Sequence, residues 1–310
     1  MRTVFCLFFF GTLYWLCVTL WPPLKPVYSG MWEANRGKAQ VFLFGDHEER
    51  SALLIGSSLS ARLPMSSKDK IYNLGLSGGS AMTGLELVSR ISNPPKLIFV
   101  EINYIERGLD EKFIESVDST LARRISLFRI ENRPLNYFLS FMRNPPWGKS
   151  AIDKSDIHSF LRPLGLTESV SDLKDRAVCV PEQAPKKQRP PGKAFEINIK
   201  QKKSIEAAGV NRKVLLERIK QLQSYIDKLE QRGAKVVLFE MPVNPQLQKG
   251  KRLVQVRKIL RSHFPPQYFY DMSKVVDFSS FTTSDGLHLA GAECQFFASH
   301  LRQEIMKQIQ

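Results

Sequence analysis

Four apolar residues in unbroken succession, Leu97 to Val100, set the strongest constraint on what this chain can fold into. Lying within Lys96 to Ile102, they read as a strand buried on both faces, which is characteristic of a parallel sheet covered by helices. Two earlier segments give the same reading. Ala52 to Ile55 is a short buried strand ending at Gly56, and Ser57 begins a turn into a helix. Lys70 to Leu74 is a second strand, followed by the glycine-rich Gly75 to Gly79 and a helix carrying Met82, Leu85, Leu87, Val88 and Ile91. The order is βαβαβ.

The rhythm lapses between about residues 105 and 208. Helical stretches around Glu111 to Asn136 give way to a Pro- and Lys-rich run, Pro181 to Lys203, whose charge predicts a solvated loop. It resumes with Asn211 as N-cap and Leu215, Ile219, Leu222, Ile226 and Leu229 on one helical face. Gly233 closes that helix, and Lys235 to Glu240 is the next strand. A helix from Pro245 to His263, a strand near Tyr268 to Asp271 and a helix from Ala290 to Ile309 complete the series. Alternating strands and helices predict an α/β fold with a mainly parallel sheet covered on both faces.

At the other end, Val4 to Trp21 carries no charged side chain; as a helix it would extend about 27 Å, close to the hydrocarbon thickness of a bilayer. Tyr14, Trp15 and Trp21 suit an interface, and Pro22, Pro23 and Pro26 end the helix. The reading is a single N-terminal transmembrane helix over residues 1–26, with a cleaved signal segment as the alternative. A linker would follow over 27–50 and the folded domain over 50–310, with the insertion at 105–208. Charge does not orient the helix, because Arg2 faces Lys25, Arg36 and Lys38 across it.

The chain has 45 Lys and Arg against 30 Asp and Glu, a net charge of +15. These residues are spread along the chain and match no nucleic-acid-binding motif, so no nucleic-acid partner is expected. Anionic lipid head groups or an acidic glycopolymer would be attracted equally well. The four cysteines define no disulfide framework: Cys6 and Cys17 lie in the apolar segment, Cys179 in a polar stretch and Cys294 in a helix. With no C-x-x-C pair, neither a metal nor a cofactor is expected.

In open α/β sheets ligands bind at the carboxyl ends of the strands. The first strand is followed by Gly56-Ser57-Ser58, the second by Gly75-Leu76-Ser77-Gly78, and the third by Asn103. Asp285-Gly286-Leu287-His288 lies near the C-terminus. Acyl transfer through a nucleophile needs a hydroxyl, a base, a group that orients the base and donors for an oxyanion. Ser58 is the candidate nucleophile, His288 the base and Asp285 the orienting acid, with the amides of Ser58 and Gly78 and the Asn103 side chain as oxyanion donors.

This set resembles the SGNH, or GDSL-like, hydrolase superfamily of esterases, lipases and acyltransferases, whose four signature blocks map onto Ser58, Gly78, Asn103 and His288. The resemblance covers about residues 50 to 104 and 234 to 305 and implies a three-layer α/β/α fold with Asp285 as third member of the triad. The usual Gly-Asp-Ser is here Gly56-Ser57-Ser58, and the usual Gly-x-Asn-Asp is Glu101-Ile102-Asn103-Tyr104. With the Met241-Pro242-Val243-Asn244-Pro245 segment, the Gly-Ser-Ser form is similar to the cell-envelope branch that includes the teichoic acid D-alanylation protein and polysaccharide O-acetyltransferases. That likeness implies an extracytoplasmic catalytic domain on the cell membrane, a membrane-bound O-acyltransferase partner and an anionic glycopolymer substrate.

Gly75-Leu76-Ser77-Gly78-Gly79 also matches a nucleophile elbow, which makes Ser77 a rival to Ser58. His47, His158, His263 and His300 have no partner at a meaningful spacing, while Glu240 and Asp271 sit near strand ends. The function expected is a membrane-anchored serine acyltransferase or esterase; the alternative is a non-catalytic protein of degenerate SGNH fold that binds a glycan or an acylation partner.

Overall fold

The computed structural model describes residues 2–21, 26–28, 30–45, 50–65, 70–125, 128–143, 193–272 and 278–309. The chain divides into two compact units, Met1–Gly45 with Lys112–Arg176, and Asp46–Glu111 with Ala177–Gln310.

The second unit contains the sheet. Strands β1 (Ala52–Gly56), β2 (Ile71–Gly75), β3 (Leu97–Glu101), β4 (Lys235–Phe239) and β5 (Phe269–Tyr270) lie in the order β2-β1-β3-β4-β5. Every pairing is parallel, and Leu54 aligns with Phe99, which aligns with Val237. Successive side chains therefore divide between two faces. Leu54, Phe99, Val237 and Phe239 point into a cluster with Phe297, Leu301 and Ile305, whereas Leu53, Ile55, Ile98, Val100 and Leu238 are equally buried on the opposite face. Each such residue withdrawn from water contributes roughly 1.5–3 kcal/mol, so a strand apolar on both sides is stable only between two helical coverings.

The coverings follow from the sequence. Helix α3 (Ser58–Ala61) leaves β1, and α4 (Ala81–Ser89) packs so closely on β1 that a Cβ at Gly84 would lie 2.4 Å from Ile55 Cγ2. The long amphipathic helix beginning at Arg212 is capped by Asn211, whose Oδ1 accepts from Val214 N, and it buries Leu215, Ile219, Leu222, Ile226 and Leu229 as its spacing predicts. The segment read as one helix from Pro245 to His263 is two, Pro245–Gln248 and Lys251–His263, interrupted at Lys249 and Gly250.

The first unit is helical: α1 (Arg2–Leu20), α2 (Met31–Phe44), α5 (Glu111–Val117), α6 (Thr120–Arg124) and α7 (Pro134–Arg143). Helix α2 occupies the stretch predicted to be a linker, and buried Gln40 fastens it by accepting from Ile130 N at 2.7 Å. Tyr14 of α1 donates to Asn132 O, and the Tyr137 hydroxyl lies 2.9 Å from both Cys17 O and Trp21 O. Away from these contacts Phe5, Phe8, Phe9, Phe10 and Leu13 are exposed, Phe8 by 76%. The N-terminal run is thus helical, but the expectation of a transmembrane helix is not met: among the described residues no helix is long and apolar enough to cross a membrane.

The insertion also differs from expectation. Its first part, from Lys112, belongs to the helical unit, and its last part is helix α8 (Lys193–Ala208) in the sheet unit. Residues 181–192 of the predicted loop lie outside the described residues; from Lys193 the chain is helical rather than solvated loop. Ile199 joins the core, and Glu206, 5% exposed, pairs with Arg252 at 2.8 Å. The Lys-rich composition conceals these two inward positions among outward charges. With α9 (Arg212–Glu230), α10 (Pro245–Gln248), α11 (Lys251–His263) and α12 (Gly291–Ile309), this completes the helices used below.

Candidate active site

Strand β1 ends at Gly56, and Ser57 turns the chain in an extended conformation, its Oγ accepting from Leu59 N at 3.2 Å to start α3. Ser58 is therefore the first residue of a helix, half-buried at the carboxyl end of a central strand. Beneath it lies Glu101, the last residue of β3, 2% exposed. Its Oε1 accepts from Ser57 Oγ at 2.6 Å, and its Oε2 accepts from Ser57 N at 2.9 Å and Ser60 N at 3.1 Å. Burial pushes the Glu101 carboxyl up, and the hydrogen bonds from Ser57 and Ser60 pull against that rise. The packing leaves no room for a side chain at Gly56, where a Cβ would lie 2.3 Å from Ser60 Oγ and 2.5 Å from Glu101 Oε2.

The second half of the site is a tight loop. Ser284 N donates to His288 O at 2.9 Å, Ala290 N donates to Thr282 O at 3.1 Å, and Thr283 bridges Leu289. Inside it Asp285 Oδ1 accepts from the backbone N–H groups of Leu287 at 3.1 Å and His288 at 2.8 Å, a turn that aspartate forms readily. Gly286 adopts φ +85°, the left-handed region, and a Cβ there would stand 3.3 Å from Phe195 O of α8. Asn198 of the same helix donates to Asp285 O at 3.2 Å. The predicted loop is thus a helix that braces the acid.

The two halves meet. Asp285 Oδ2 lies 2.7 Å from His288 Nδ1, and His288 Nε2 lies 3.0 Å from Ser58 Oγ. Burial alone would push the Asp285 carboxyl up, but the hydrogen bond and charge of His288, its backbone N–H and Arg62 at 3.4 Å hold it well below the usual carboxylate range. Ionised Asp285 only accepts, so Nδ1 carries the proton and Nε2 is left to take one from Ser58.

Of the expected oxyanion donors, Ser58 N–H points into no hydrogen bond among the described residues. Gly78, exposed and at φ +75°, follows β2. Asn103 follows β3 and is 1% exposed; its Oδ1 accepts from Met241 N at 2.7 Å and its Nδ2 donates to Met241 O at 2.8 Å. The second amide hydrogen of Asn103 has no partner among the described residues. Ser58 and Asn103 thus stand at the carboxyl ends of β1 and β3, adjacent strands from which the chain order runs in opposite directions, where doubly wound sheets bind their ligands.

Arg252 reinforces this edge. Buried on α11, it donates to Asn103 O at 3.0 Å, pairs with Glu106 at 2.5 Å and Glu206 at 2.8 Å, and lies 4.7 Å from the centre of the Tyr104 ring. Burial works against its charge, but Glu106 and Glu206 more than compensate and raise its pKa. Sequence reasoning missed this arginine, Arg62 and Asn198, since no local pattern marks them. The inward position of Arg252 beside buried Leu253 and Val256 was the only signal.

The remaining candidates have other roles. Both ring nitrogens of His288 are occupied, by Asp285 and Ser58, so the ring meets Ser58 rather than half-exposed Ser77. Glu240 forms a two-pronged ion pair with Arg257, and Asp271 pairs with Arg261 at 3.6 Å. His263 and His300 bond to backbone carbonyls within their own helices, at Ile259 and Phe296; His47 and His158 lie outside the described residues. Cys294 is disulfide-bonded, where the sequence reading gave it no partner, while Cys6 and Cys17 are free. Among the described residues no group of three His, Cys, Asp or Glu could hold a metal ion.

No protein-family model matches this chain, and no curated protein matches it in sequence.

Proposed function

We propose that the chain is a serine acyltransferase or esterase of SGNH type, with a three-layer α/β/α catalytic domain, acting through an acyl-enzyme. The observation that carries the reading is the continuous relay from Asp285 through His288 to Ser58, at 2.7 and 3.0 Å. Two backbone segments far apart in the chain supply it, and it leaves the serine hydroxyl facing the imidazole nitrogen that Asp285 does not engage.

In the reaction Ser58 Oγ attacks the ester carbonyl and gives its proton to His288 Nε2. Asp285 stabilises the imidazolium. The tetrahedral oxyanion is met by Ser58 N–H, Gly78 N–H and the free hydrogen of Asn103 Nδ2. His288 then protonates the departing alkoxide, and the acyl group remains as an ester on Ser58. In the second half His288 takes the proton from an acceptor hydroxyl, which attacks the ester and regenerates the serine. Water as acceptor makes the protein an esterase; a sugar hydroxyl makes it a transferase. The net charge of +15 favours an anionic envelope glycopolymer as acceptor, and the bare phenylalanine face of α1 favours a place at the cell membrane, with the catalytic domain extracytoplasmic and a membrane-bound O-acyltransferase supplying the acyl group.

The test is to label the full-length, detergent-solubilised protein with a fluorophosphonate and locate the adduct by peptide mass spectrometry. The expected result is a single adduct on Ser58, absent in His288→Ala. An adduct on Ser77, or none on protein shown to be folded, would overturn the assignment.

A further inference from the structure

The relay accounts for Ser58, His288 and Asp285, yet the most thoroughly buried carboxylate at this edge of the sheet belongs to none of them. Glu101 lies under the nucleophile turn and accepts three hydrogen bonds from it, two from Ser57 and one from Ser60. These residues flank Ser58 on either side. Between them Leu59 N donates to Ser57 Oγ, while Ser58 has its Oγ on His288 and, among the described residues, no partner for its N–H. A carboxylate that binds backbone N–H on both sides of a residue fixes the direction of the amide and the side chain between them. Charge-assisted hydrogen bonds of this kind are roughly twice as strong as neutral ones.

We infer that Glu101 is the positioning residue of the nucleophile: its carboxylate holds the Ser57–Ser60 turn so that Ser58 Oγ meets His288 while Ser58 N–H faces the oxyanion. The inference rests on the assignment of Ser58 as nucleophile. Gly56 belongs to the same device, because any side chain there would take the space of the Glu101 and Ser60 oxygens. Substitution by glutamine conserves shape but replaces an acceptor with a donor opposite Ser57 Oγ, which already accepts from Leu59 N. The serine hydroxyl must then turn away and loses its acceptor. Alanine leaves all three donors without a partner.

The experiment measures the rate of fluorophosphonate labelling at Ser58 per folded molecule, in full-length wild type, Glu101→Gln and Glu101→Ala, with folding followed by thermal melting. The expected order is wild type, then glutamine about 10-fold slower, then alanine about 100-fold slower, the size of a nucleophile displaced by about 1 Å. The ratio of wild-type to glutamine rate also falls towards one on acidification, because the wild-type carboxyl becomes protonated and the amide does not change. The groups facing Glu101 are the Ser57 and Ser60 hydroxyls and, electrostatically, Tyr104, whose pKa burial pushes up to about 12, so none of them titrates in that range. Equal rates per folded molecule in wild type and glutamine variant, or a ratio that does not change with pH, would overturn the inference while leaving Ser58 as nucleophile. A wild type that does not label would overturn both. Should alanine fail to fold, the glutamine variant decides.

Discussion

The turn that carries Ser58 and the loop that carries His288 present two atoms to each other at 3.0 Å but are held by opposite means. The turn is short, almost wholly buried, and tied to a carboxylate 44 positions away in the chain. The loop is part-exposed, with the Asp285 side chain 33% accessible, and is stitched mainly by bonds between residues at most eight apart, with α8 leaning on it. The nucleophile needs a fixed direction for both its hydroxyl and its amide, which a deeply buried anchor supplies. The histidine needs one orientation of a planar ring, which a neighbouring carboxylate three residues away is enough to set.

The chemical consequence is that both sides should fail equally when the relay itself is cut. Ser58→Ala and His288→Ala are each expected to lower ester turnover on the order of 10⁴-fold with folding intact, since a triad acts as a unit. The double variant is expected to lose no more than either single one. Turnover assays beside thermal melts test this, and a double variant much worse than both singles would mean that the turn and the loop act independently.

The largest structural effect is expected at the support that both sides share. Arg252 bonds to the loop after β3 through Asn103 O and to α8 through Glu206. Arg252→Met removes the cation and leaves part-buried Glu106 and buried Glu206 without their counter-ion, Glu206 keeping only the bond from Leu253 N, at a cost of about 3–5 kcal/mol. That corresponds to a fall in melting temperature of roughly 10 °C. If melting shifts by less than about 2 °C, the network is not the brace described here.

The same contrast explains what could be read in the sequence. All five strands and the face of α9 were legible because burial repeats at short range: Leu97 to Val100 and the Leu215–Leu229 spacing need no knowledge of the rest of the chain. Asp285 and His288 were legible because they are three residues apart. Ser57 and Glu101 each stood out as a departure from a known pattern, but only the parallel register that places the end of β3 beside the end of β1 shows that they are the two ends of one contact. Helix α8 was missed for the converse reason. Its composition is that of a solvated loop, and Asn198 and Glu206 gain their partners from segments more than forty residues distant. Helix α2 was missed because its apolar positions are matched by other helices of its own unit rather than by a neighbour in sequence.

Gly286→Ala tests whether the loop is as locally determined as it looks. The left-handed φ of +85° costs an alanine about 1–2 kcal/mol, and the added methyl meets Phe195 O at 3.3 Å. Melting is expected to fall by a few degrees, with labelling at Ser58 slowed because the ring moves with the loop. In the turn, the matching change Gly56→Ala meets atoms at 2.3 to 2.6 Å and should be the more damaging of the two. The opposite ranking would reverse the assignment of which side is rigid.

The smallest effect follows from the charge on Asp285. Its pKa lies below that of the unfolded chain, so ionisation of this group favours the folded state. That contribution is fully present above the ordinary aspartate value of about 3.9 and is lost as pH falls through the depressed folded value. Asp285→Asn has no such group, while every other carboxylate titrates alike in both proteins. The difference in melting temperature between wild type and variant should therefore be widest near neutrality and shrink in acid. Glu101 has the opposite sign: burial raises its pKa, so the folded state favours the neutral form, and the gap between wild type and Glu101→Gln should move towards wild type as pH falls from neutrality. Two carboxylates at one site thus respond to acid in opposite senses, one at the local, part-exposed loop and one under the buried turn. Matched melting series for the two variants, taken from neutral to acid pH, would separate them directly, and parallel curves would show that the two sides of the site are not held differently.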